Sequence, residues 1–586
     1  MKKKFAVTFI SLCGLLLSSC SLLNHLVKGS LTSISIETKP TKSIYVEGES
    51  FDPTGLVLSG TYSNKKVESI PYYGNENHFT FSISLDTPLM KSDRSLGITY
   101  KDKSTTLEIE VEEISTLDKT KLSYTYDDYT ENSYMGIDNC PLQGNPKLLI
   151  IPIWFNDSDT FIDESKKEDV RNDIKKAYVG DQSDTGWHSV KSYYETESVG
   201  KLHLNATVAD WYNVNTSYVT YGPEEAVTNT ASLVKTASDY YFSNSSDNRK
   251  DYDSNNDGYL DGVILVYAAP DYDSLADESY KNLWAYCYWT GNYKNKTSPN
   301  ANVFFWASYD FLYGSNASEK TGKSSYARGY TENGITIDTH CFIHEMGHVF
   351  GLDDYYDYSD FEYNPAGGFS MQDMNVGGHD PYSVMAYGWA DPYIPEESIT
   401  ISIGDFQSTH DVILLANHEV SDSPFDEYLL LEYYTPTGLN EFDSKYAYRG
   451  NYPKGSSSRG IRLWHVDARL FSGYPVASAL TNNPADGYVH HAMSNTYDGN
   501  HASMMGKSYY NYNILQLIRN NKTETYKPKA DFNTNSLFRV GDSFDMETYS
   551  SQFVNSSKMN DKDSLGWSFK IVSINDNDAI ISLTKQ

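Results

Sequence analysis

The chain has few positive charges for its size. Its 586 residues include 47 Lys and Arg against 78 Asp and Glu, which gives a formal net charge of −31 at pH 7. Bulk nucleic-acid binding needs a basic face that displaces phosphate counterions, so we expect no nucleic-acid partner. An acidic surface also repels anionic lipid, so any attachment to a membrane requires a separate anchor.

Cysteine and long apolar runs are scarce as well. The five Cys include no C-x-x-C pair, which argues against a disulfide framework and against a structural zinc knuckle. No stretch approaches eighteen apolar residues, so we expect no transmembrane helix, and no internal repeat of 20–50 residues is found. Aromatic residues, by contrast, make up 14% of the chain and include 50 Tyr, which argues against a mainly disordered protein.

The N-terminus has the organisation of an export signal. Lys2 to Lys4 precede a short apolar run from Phe5 to Leu17. The Leu-Ser-Ser-Cys sequence that ends at Cys20 resembles a bacterial lipoprotein box, which implies cleavage before Cys20 and a lipid on its sulfur. We predict a signal peptide over residues 1–19, a lipidated tether over residues 20–31, and a protein anchored to the outer face of a bacterial membrane. Ordinary secretion is the alternative.

The predicted fold class is multidomain, and its first folded part is all-β. Residues 32–114 alternate polar and apolar side chains, which is typical of half-buried strands. The segment Glu47 to Val57 resembles bacterial immunoglobulin-like modules and implies a β-sandwich. We interpret this module as a spacer, with adhesion as the alternative. A polar linker over residues 115–144 follows it.

The next two regions differ in their secondary-structure pattern. Two continuous apolar runs, Leu148 to Phe155 and Gly262 to Tyr267, indicate strands buried on both faces, with helix-compatible spacing between them. We therefore predict an α/β domain over residues 145–395. Strand-like runs dominate beyond it, which predicts a C-terminal β-rich domain over residues 396–586.

The α/β region contains the motif H-E-x-x-H at His344–His348. On a helix, residues four apart lie on one face, so His344 and His348 can present their imidazoles to one zinc ion. Glu345 lies beside that face, where its carboxylate can reach a zinc-bound water. Gly351 then allows the helix to end and the chain to turn back.

That turn brings a third protein ligand towards the metal. The full pattern is H-E-x-x-H-x-x-G-x-x-D, which would arise by chance in about four of ten thousand chains of this composition. The spacing favours Asp354 as the ligand, and the adjacent Asp353 is the chief rival. The alternative to a zinc site is a helix that carries two surface histidines and binds no metal.

These motifs, together with Ser189 to Leu202 and Pro381 to Trp389, resemble the immune inhibitor A family of secreted bacterial zinc metalloproteases. The resemblance covers about residues 145–395 and implies a metzincin-like fold with a methionine turn beneath the zinc. We expect Met371 in that turn, and Met374 and Met385 are the alternatives.

A second metal site is predicted in the loop before the second buried strand. Oxygen-bearing residues alternate there in the spacing of a calcium loop, and Gly258 permits the sharp turn. The predicted calcium ligands are Asp253, Asn255, Asp257, Tyr259 and Asp261. An Asx-rich turn without metal is the alternative.

The expected activity is hydrolysis of protein or peptide substrates through a zinc-bound water, with Glu345 as the general base. Tyr355, Tyr356 and Tyr387 are open candidates for a group that stabilises the oxyanion. His340 lies one helical turn before His344, and we expect it to support the site without binding the metal. The alternative function is a surface-binding, adhesin-like lipoprotein with an inactive protease scaffold.

Overall fold

A computed structural model describes residues 29–115, 118–126, 139–324, 326–360, 362–450, 452–472, 479–483, 489–490, 492, 494–496 and 505–586. The predicted signal peptide, Cys20 and most of the predicted tether lie outside these residues. The chain divides into two compact units, Met1–Thr116 with Thr400–Ser402, and Leu117–Ile399 with Ile403–Gln586. The fold is multidomain with mixed α/β content and several β-sheets, as the sequence predicts.

The first unit is built from short strands. They are β1 Leu31–Thr38, β2 Ile44–Val46, β3 Val57–Tyr62, β4 Val67–Pro71, β5 Phe79–Phe81, β6 Ser95–Tyr100, β7 Lys103–Glu108 and β8 Glu110–Glu112. Two antiparallel sheets have the orders β1-β3-β4 and β5-β6-β7, and β2 pairs with β8 in parallel. Alternate side chains such as Leu96 and Ile98 of β6 enter one apolar core, because successive residues of a strand face opposite sides.

A mostly parallel sheet forms the centre of the second unit. Its strands are β9 Lys147–Trp154, β10 Asn205–Val208, β11 Tyr212–Asn213, β12 Val263–Tyr267, β13 Tyr286–Trp289 and β14 Val303–Ser308. The order is β10-β9-β12-β14-β13, β11 also pairs with β9, and only β13 runs antiparallel to its neighbour. Every residue of β12 and β14 is buried, which confirms the reading of the apolar run in β12 as a strand covered on both faces.

The α-helices all belong to the second unit within the described residues. They are α1 Lys167–Val179, α2 Gln182–Thr185, α3 Val190–Glu197, α4 Val227–Asn244, α5 Tyr272–Leu275, α6 Ala317–Thr321, α7 His340–Val349, α8 Met371–Met374, α9 Pro381–Ala386, α10 Phe406–Thr409 and α11 Glu441–Lys445. None of the helices in the described part of the chain is both long enough and apolar enough to cross a bilayer.

Helix α7 carries the H-E-x-x-H motif, and it starts later than the sequence suggests. The pattern allows a helix from Ile337, but α7 begins at His340. The reason is local: the Asp338 side chain accepts a hydrogen bond from the amide of His340 at 3.1 Å, which satisfies a free helix N–H.

Strands dominate the chain beyond residue 396, where Thr400–Ser402 belong to the first unit and the other residues to the second. They are β15 Ile399–Gly404, β16 Val412–Leu415, β17 Glu427–Tyr434, β18 Gly460–Asp467, β19 Leu470–Ser472, β20 Ala479–Thr481, β21 Val489–His490, β22 Leu515–Ile518, β23 Ser543–Phe544, β24 Trp567–Ile574 and β25 Asp578–Lys585. An antiparallel sheet β16-β17-β18-β22 has its two central strands wholly buried. Strands β16 to β25 share one compact unit with α7, and the predicted boundary at residue 396 stays a prediction.

Candidate metal and catalytic site

The two motif histidines meet on one face of α7. Their Nε2 atoms lie 3.2 Å apart, because a spacing of four residues returns almost one full helical turn. Both side chains are largely buried. The sequence predicted this juxtaposition of His344 and His348 from helical periodicity alone.

Asp354 completes the cluster because the chain reverses at Gly351. Gly351 has a φ of 111°, and a Cβ there would lie 2.7 Å from the Asn139 side chain, so glycine is required at this turn. Asp354 Oδ1 lies 2.8 Å from the Nε2 of His344 and 3.5 Å from that of His348. Among the described residues, these three form the one group of three or more His, Cys, Asp or Glu whose ligand atoms all lie within 4.8 Å.

The rival acid is used differently. Asp353 Oδ1 accepts a hydrogen bond from the amide of Asp354 at 2.8 Å. The geometry therefore brings Asp354, and not Asp353, together with the two histidines.

Backbone carbonyls fix the orientation of both imidazoles. His344 Nδ1 lies 2.7 Å from the carbonyl of Met371, and His348 Nδ1 lies 2.8 Å from that of Leu352. A carbonyl can only accept, so each Nδ1 carries a proton and each Nε2 faces Asp354. Outer contacts of this kind orient metal-binding histidines in proteins.

The spacing of the three donor atoms fits a zinc ion. Tetrahedral zinc holds nitrogen and oxygen ligands at about 2.0–2.1 Å, which places the ligands about 3.3 Å from one another. The three observed separations of 2.8, 3.2 and 3.5 Å bracket that value. Two imidazoles and one carboxylate leave a fourth position open, as in catalytic zinc sites.

The charges of the cluster also suit a cation. Burial alone raises the pKa of Asp354, but His348 and His344 outweigh burial and hold it far below its usual range. Burial alone lowers the pKa of His348, but the carboxylate of Asp354 outweighs burial and raises it to about 10. The cluster therefore holds one net positive charge beside Asp354, and a proton or a metal ion can supply it.

Glu345 lies beside the cluster with spare hydrogen-bonding capacity. It is buried, and its Oε2 has no hydrogen-bond partner among the described residues. Burial and the neighbouring Asp354 raise its pKa, and His348 and His344 oppose them. Glu345 also lines two adjoining cavities of about 360 and 270 Å³. A carboxylate in this position can accept a proton from a molecule held in either cavity.

The segment beneath α7 contains the predicted methionines. Met371 is fully buried and supplies the carbonyl that holds His344, whereas Met374 is partly exposed and lines the larger cavity. Met385 is buried in α9. The neighbour of Met371, Gln372, packs so closely on α7 that a Cβ at Gly347 would lie 2.1 Å from its Oε1.

The three candidate tyrosines differ in burial and in whether they line the cavities beside Glu345. Tyr355 and Tyr387 are buried, and their hydroxyls contact Ser383 and the carbonyl of Gly347. Tyr356 lines both cavities beside Glu345.

Sequence reasoning missed Tyr358, whose hydroxyl donates to Oδ2 of Asp354. Tyr358 also accepts a hydrogen bond from Tyr356 at 3.1 Å. The sequence feature that could have indicated this contact is the position of Tyr358, four residues after the proposed ligand Asp354.

The predicted calcium loop has its oxygens turned towards its own backbone. Both carboxylate oxygens of Asp253 accept amide hydrogens, from Asp257 at 2.9 Å and Gly258 at 3.1 Å. Asn255 and Asp257 accept from the amides of Asp257 and Tyr259, at 3.1 and 2.8 Å. The calcium site stays a prediction.

Asp261 closes the same loop. It accepts from the amides of Ser254 at 2.9 Å and Lys147 at 2.7 Å, and burial raises its pKa to about 7. This residue therefore ties the loop to the start of β9.

Two polar residues of strand β18 pair with neighbouring side chains. His465 and Asp467, in β18, bind Glu427 and Arg469 at 2.9 and 2.7 Å. In the described part of the chain, Cys140, Cys287 and Cys341 form no disulfide.

Comparison with models of known protein families and with curated proteins gave no match to this chain.

Proposed function

We propose that the protein is a zinc-dependent endopeptidase whose metal is held by His344, His348 and Asp354. The observation that carries this proposal is the triangle of donor atoms, with both histidine Nδ1 atoms engaged by carbonyls and Glu345 beside it. The parallel sheet, the glycine turn after α7 and buried Met371 support a metzincin-like fold, and the antiparallel strands of the first unit support an immunoglobulin-like module.

The edge of the central sheet supports a peptide as the substrate. Strand β13 is the last strand of its sheet, and its residues line the smaller cavity together with Glu345 and the three proposed ligands. An edge strand presents backbone donors and acceptors that an extended peptide can pair with. A substrate bound in this way would lie across the metal site.

The residues of the chain divide the chemical work. When bound, zinc would lower the pKa of a water molecule and polarise the scissile carbonyl. Glu345 would accept the proton of that water and deliver it to the leaving amine. Tyr356, whose hydroxyl donates to Tyr358, would turn that hydrogen to the oxygen that gains negative charge. Tyr358 would hold Asp354 in its binding orientation.

The decisive test compares wild type with Glu345→Gln on casein and on a proteome-derived peptide library. We expect one zinc per chain in both proteins and a loss of about 10²–10⁴-fold in cleavage rate for the variant. Glu168→Gln, at an exposed ion pair of α1, is the matched control and should cleave like wild type. Equal cleavage by wild type and Glu345→Gln, or zinc binding without cleavage of any library peptide, would contradict the proposal.

We also propose that the protein is exported and lipidated on Cys20. The lysines, the short apolar run and the Leu-Ser-Ser-Cys sequence support this proposal. Cells fed a radioactive fatty acid should label the wild-type chain and leave Cys20→Ala unlabelled. Equal labelling of both chains would contradict it.

A further inference from the structure

The larger of the two cavities beside Glu345 has an aromatic wall that includes the guanidinium of Arg449. Its volume is about 360 Å³, and its lining includes Trp284, Phe311, Tyr448 and Tyr452 as well as Arg449. Aromatic faces of this kind can pack against the apolar part of a side chain. They also exclude water, which strengthens the electrostatic interactions of any charge placed among them.

Arg449 has no carboxylate within ion-pairing distance among the residues that the structure describes. Its guanidinium lies over the ring of Tyr452, 5.7 Å from the centroid, and the side chain is half-buried. Its backbone has a φ of 36°, which is unusual for a residue other than glycine. Backbone conformations of this kind cluster at functional sites.

The other cations of the cavity already have partners. Arg328 pairs with Asp271 at 3.1 Å and with Asp273 at 2.9 Å, and Lys529 pairs with Glu362. The cavity is also lined by four acids: Glu345 is the proposed base, and Asp357, Asp373 and Asp531 each accept a hydrogen bond from a neighbouring protein group. Arg449 is therefore the cation in this wall that an incoming anion can pair with.

We propose that this cavity is a specificity pocket for a carboxylate on the substrate, which Arg449 binds. The inference rests on the proposed peptidase function, since Glu345 and His344 line the same cavity. A substrate residue close to the scissile bond would place its carboxylate on the guanidinium and its methylene groups against the aromatic wall. Guanidinium and carboxylate form charge-assisted, geometrically specific pairs.

Two sources can supply that carboxylate: an acidic side chain or the C-terminus of a peptide. Fluorogenic peptides with one cleavable core separate them. One set ends in an amide and carries a single Glu or Gln at each position in turn, and a second set carries Gln throughout and ends in an amide or a free acid. We expect one position or one terminus at which the carboxylate raises kcat/KM by about tenfold or more.

Arg449→Gln should reduce that preference to about twofold or less, and Arg449→Glu should replace it by a preference for Lys. Arg459→Gln is the matched control, because it removes an arginine that pairs with Asp576 outside the cavity. A wild-type enzyme that cleaves the charged and neutral peptides equally, or a preference that survives in Arg449→Gln, would overturn the pocket and leave the peptidase function standing.

Binding measured by calorimetry gives a readout that needs no catalysis. In a Glu345→Gln background, the preferred acidic peptide should bind about tenfold more tightly than its neutral partner, and Arg449→Gln should remove the difference. If the wild-type chain cleaves no peptide of either set, a binding difference in the Glu345→Gln chain would support the pocket and overturn the peptidase function. Equal binding of both peptides would overturn the pocket.

Discussion

A buried imidazole at the start of the proposed catalytic helix allows a quantitative prediction of how the stability of the second unit depends on pH. His340 is fully buried between the rings of Trp187 and Tyr448, whose centroids lie 4.0 and 4.1 Å from its own. Its Nδ1 lies 2.7 Å from Asp338, and its Nε2 lies 3.4 Å from Asp443. Both ring nitrogens thus face carboxylates, an arrangement that favours the doubly protonated ring.

The protonation of His340 should stabilise the second unit. Burial by itself lowers the pKa of His340, but Asp443 and Asp338 outweigh burial and raise it from 6.5 to about 9. Because one pKa unit corresponds to about 1.4 kcal/mol, the shift is worth about 3 kcal/mol. A raised pKa contributes its full stability below the unfolded value of 6.5, and this stability is lost as the pH rises through about 9.

Urea unfolding of wild type and His340→Gln between pH 6 and pH 10 tests this reasoning. All nine Trp lie at or after Trp154, so tryptophan fluorescence follows the second unit. The stability advantage of wild type should shrink by about 3 kcal/mol from pH 6 to pH 10. His203→Gln, at a surface histidine, is the control for general effects of pH. An advantage that stays constant with pH would refute a raised pKa at His340.

Three further outcomes are expected. Tyr358→Phe should weaken zinc binding about tenfold, because Asp354 loses the hydrogen bond that the Tyr358 hydroxyl donates. Competition with a coloured chelator measures the zinc affinity. The control is Tyr293→Phe, at an exposed tyrosine, which should bind zinc like wild type. Gly347→Ala should lower the free energy of unfolding by about 1–3 kcal/mol despite the better helix propensity of Ala, because its Cβ would overlap Gln372. This loss of stability should disappear in a Gln372→Ala background. A loss of stability that persists there would rule out the overlap as the cause. Zinc at about a hundred times its Kd should raise the free energy of unfolding by about 2.7 kcal/mol, and a chelator should reverse it; an unchanged denaturation curve would contradict a specific site.

The part of the site predicted from the sequence is the part set by local geometry. Helical periodicity places His344 beside His348, and a glycine three residues later reverses the chain towards Asp354. Each of these relations spans at most ten residues. Short-range rules of chain geometry are enough to predict them.

Contacts between distant segments were beyond the sequence patterns. The carbonyl of Met371 that orients His344 is 27 residues away, and Gln372 reaches Gly347 from the same segment. A pattern shows that a residue is buried but not which neighbour it meets. The predicted methionine turn specified the segment, but not that a backbone carbonyl would do the orienting.

The same limit explains why the predicted C-terminal region has a closer relation to the site than its strand pattern suggests. Asp443 faces His340 and also accepts the amide hydrogen of Gly377 at 2.8 Å, so one carboxylate joins α7 to the segment after the methionines. Arg449, six residues further on, lines the cavity that contains Glu345. A chain cut at residue 396 would keep every proposed zinc ligand but lose both Asp443 and Arg449. The strand-rich region therefore contributes to the support of α7 and to the cavity beside it, although periodicity alone marks it as a separate β domain.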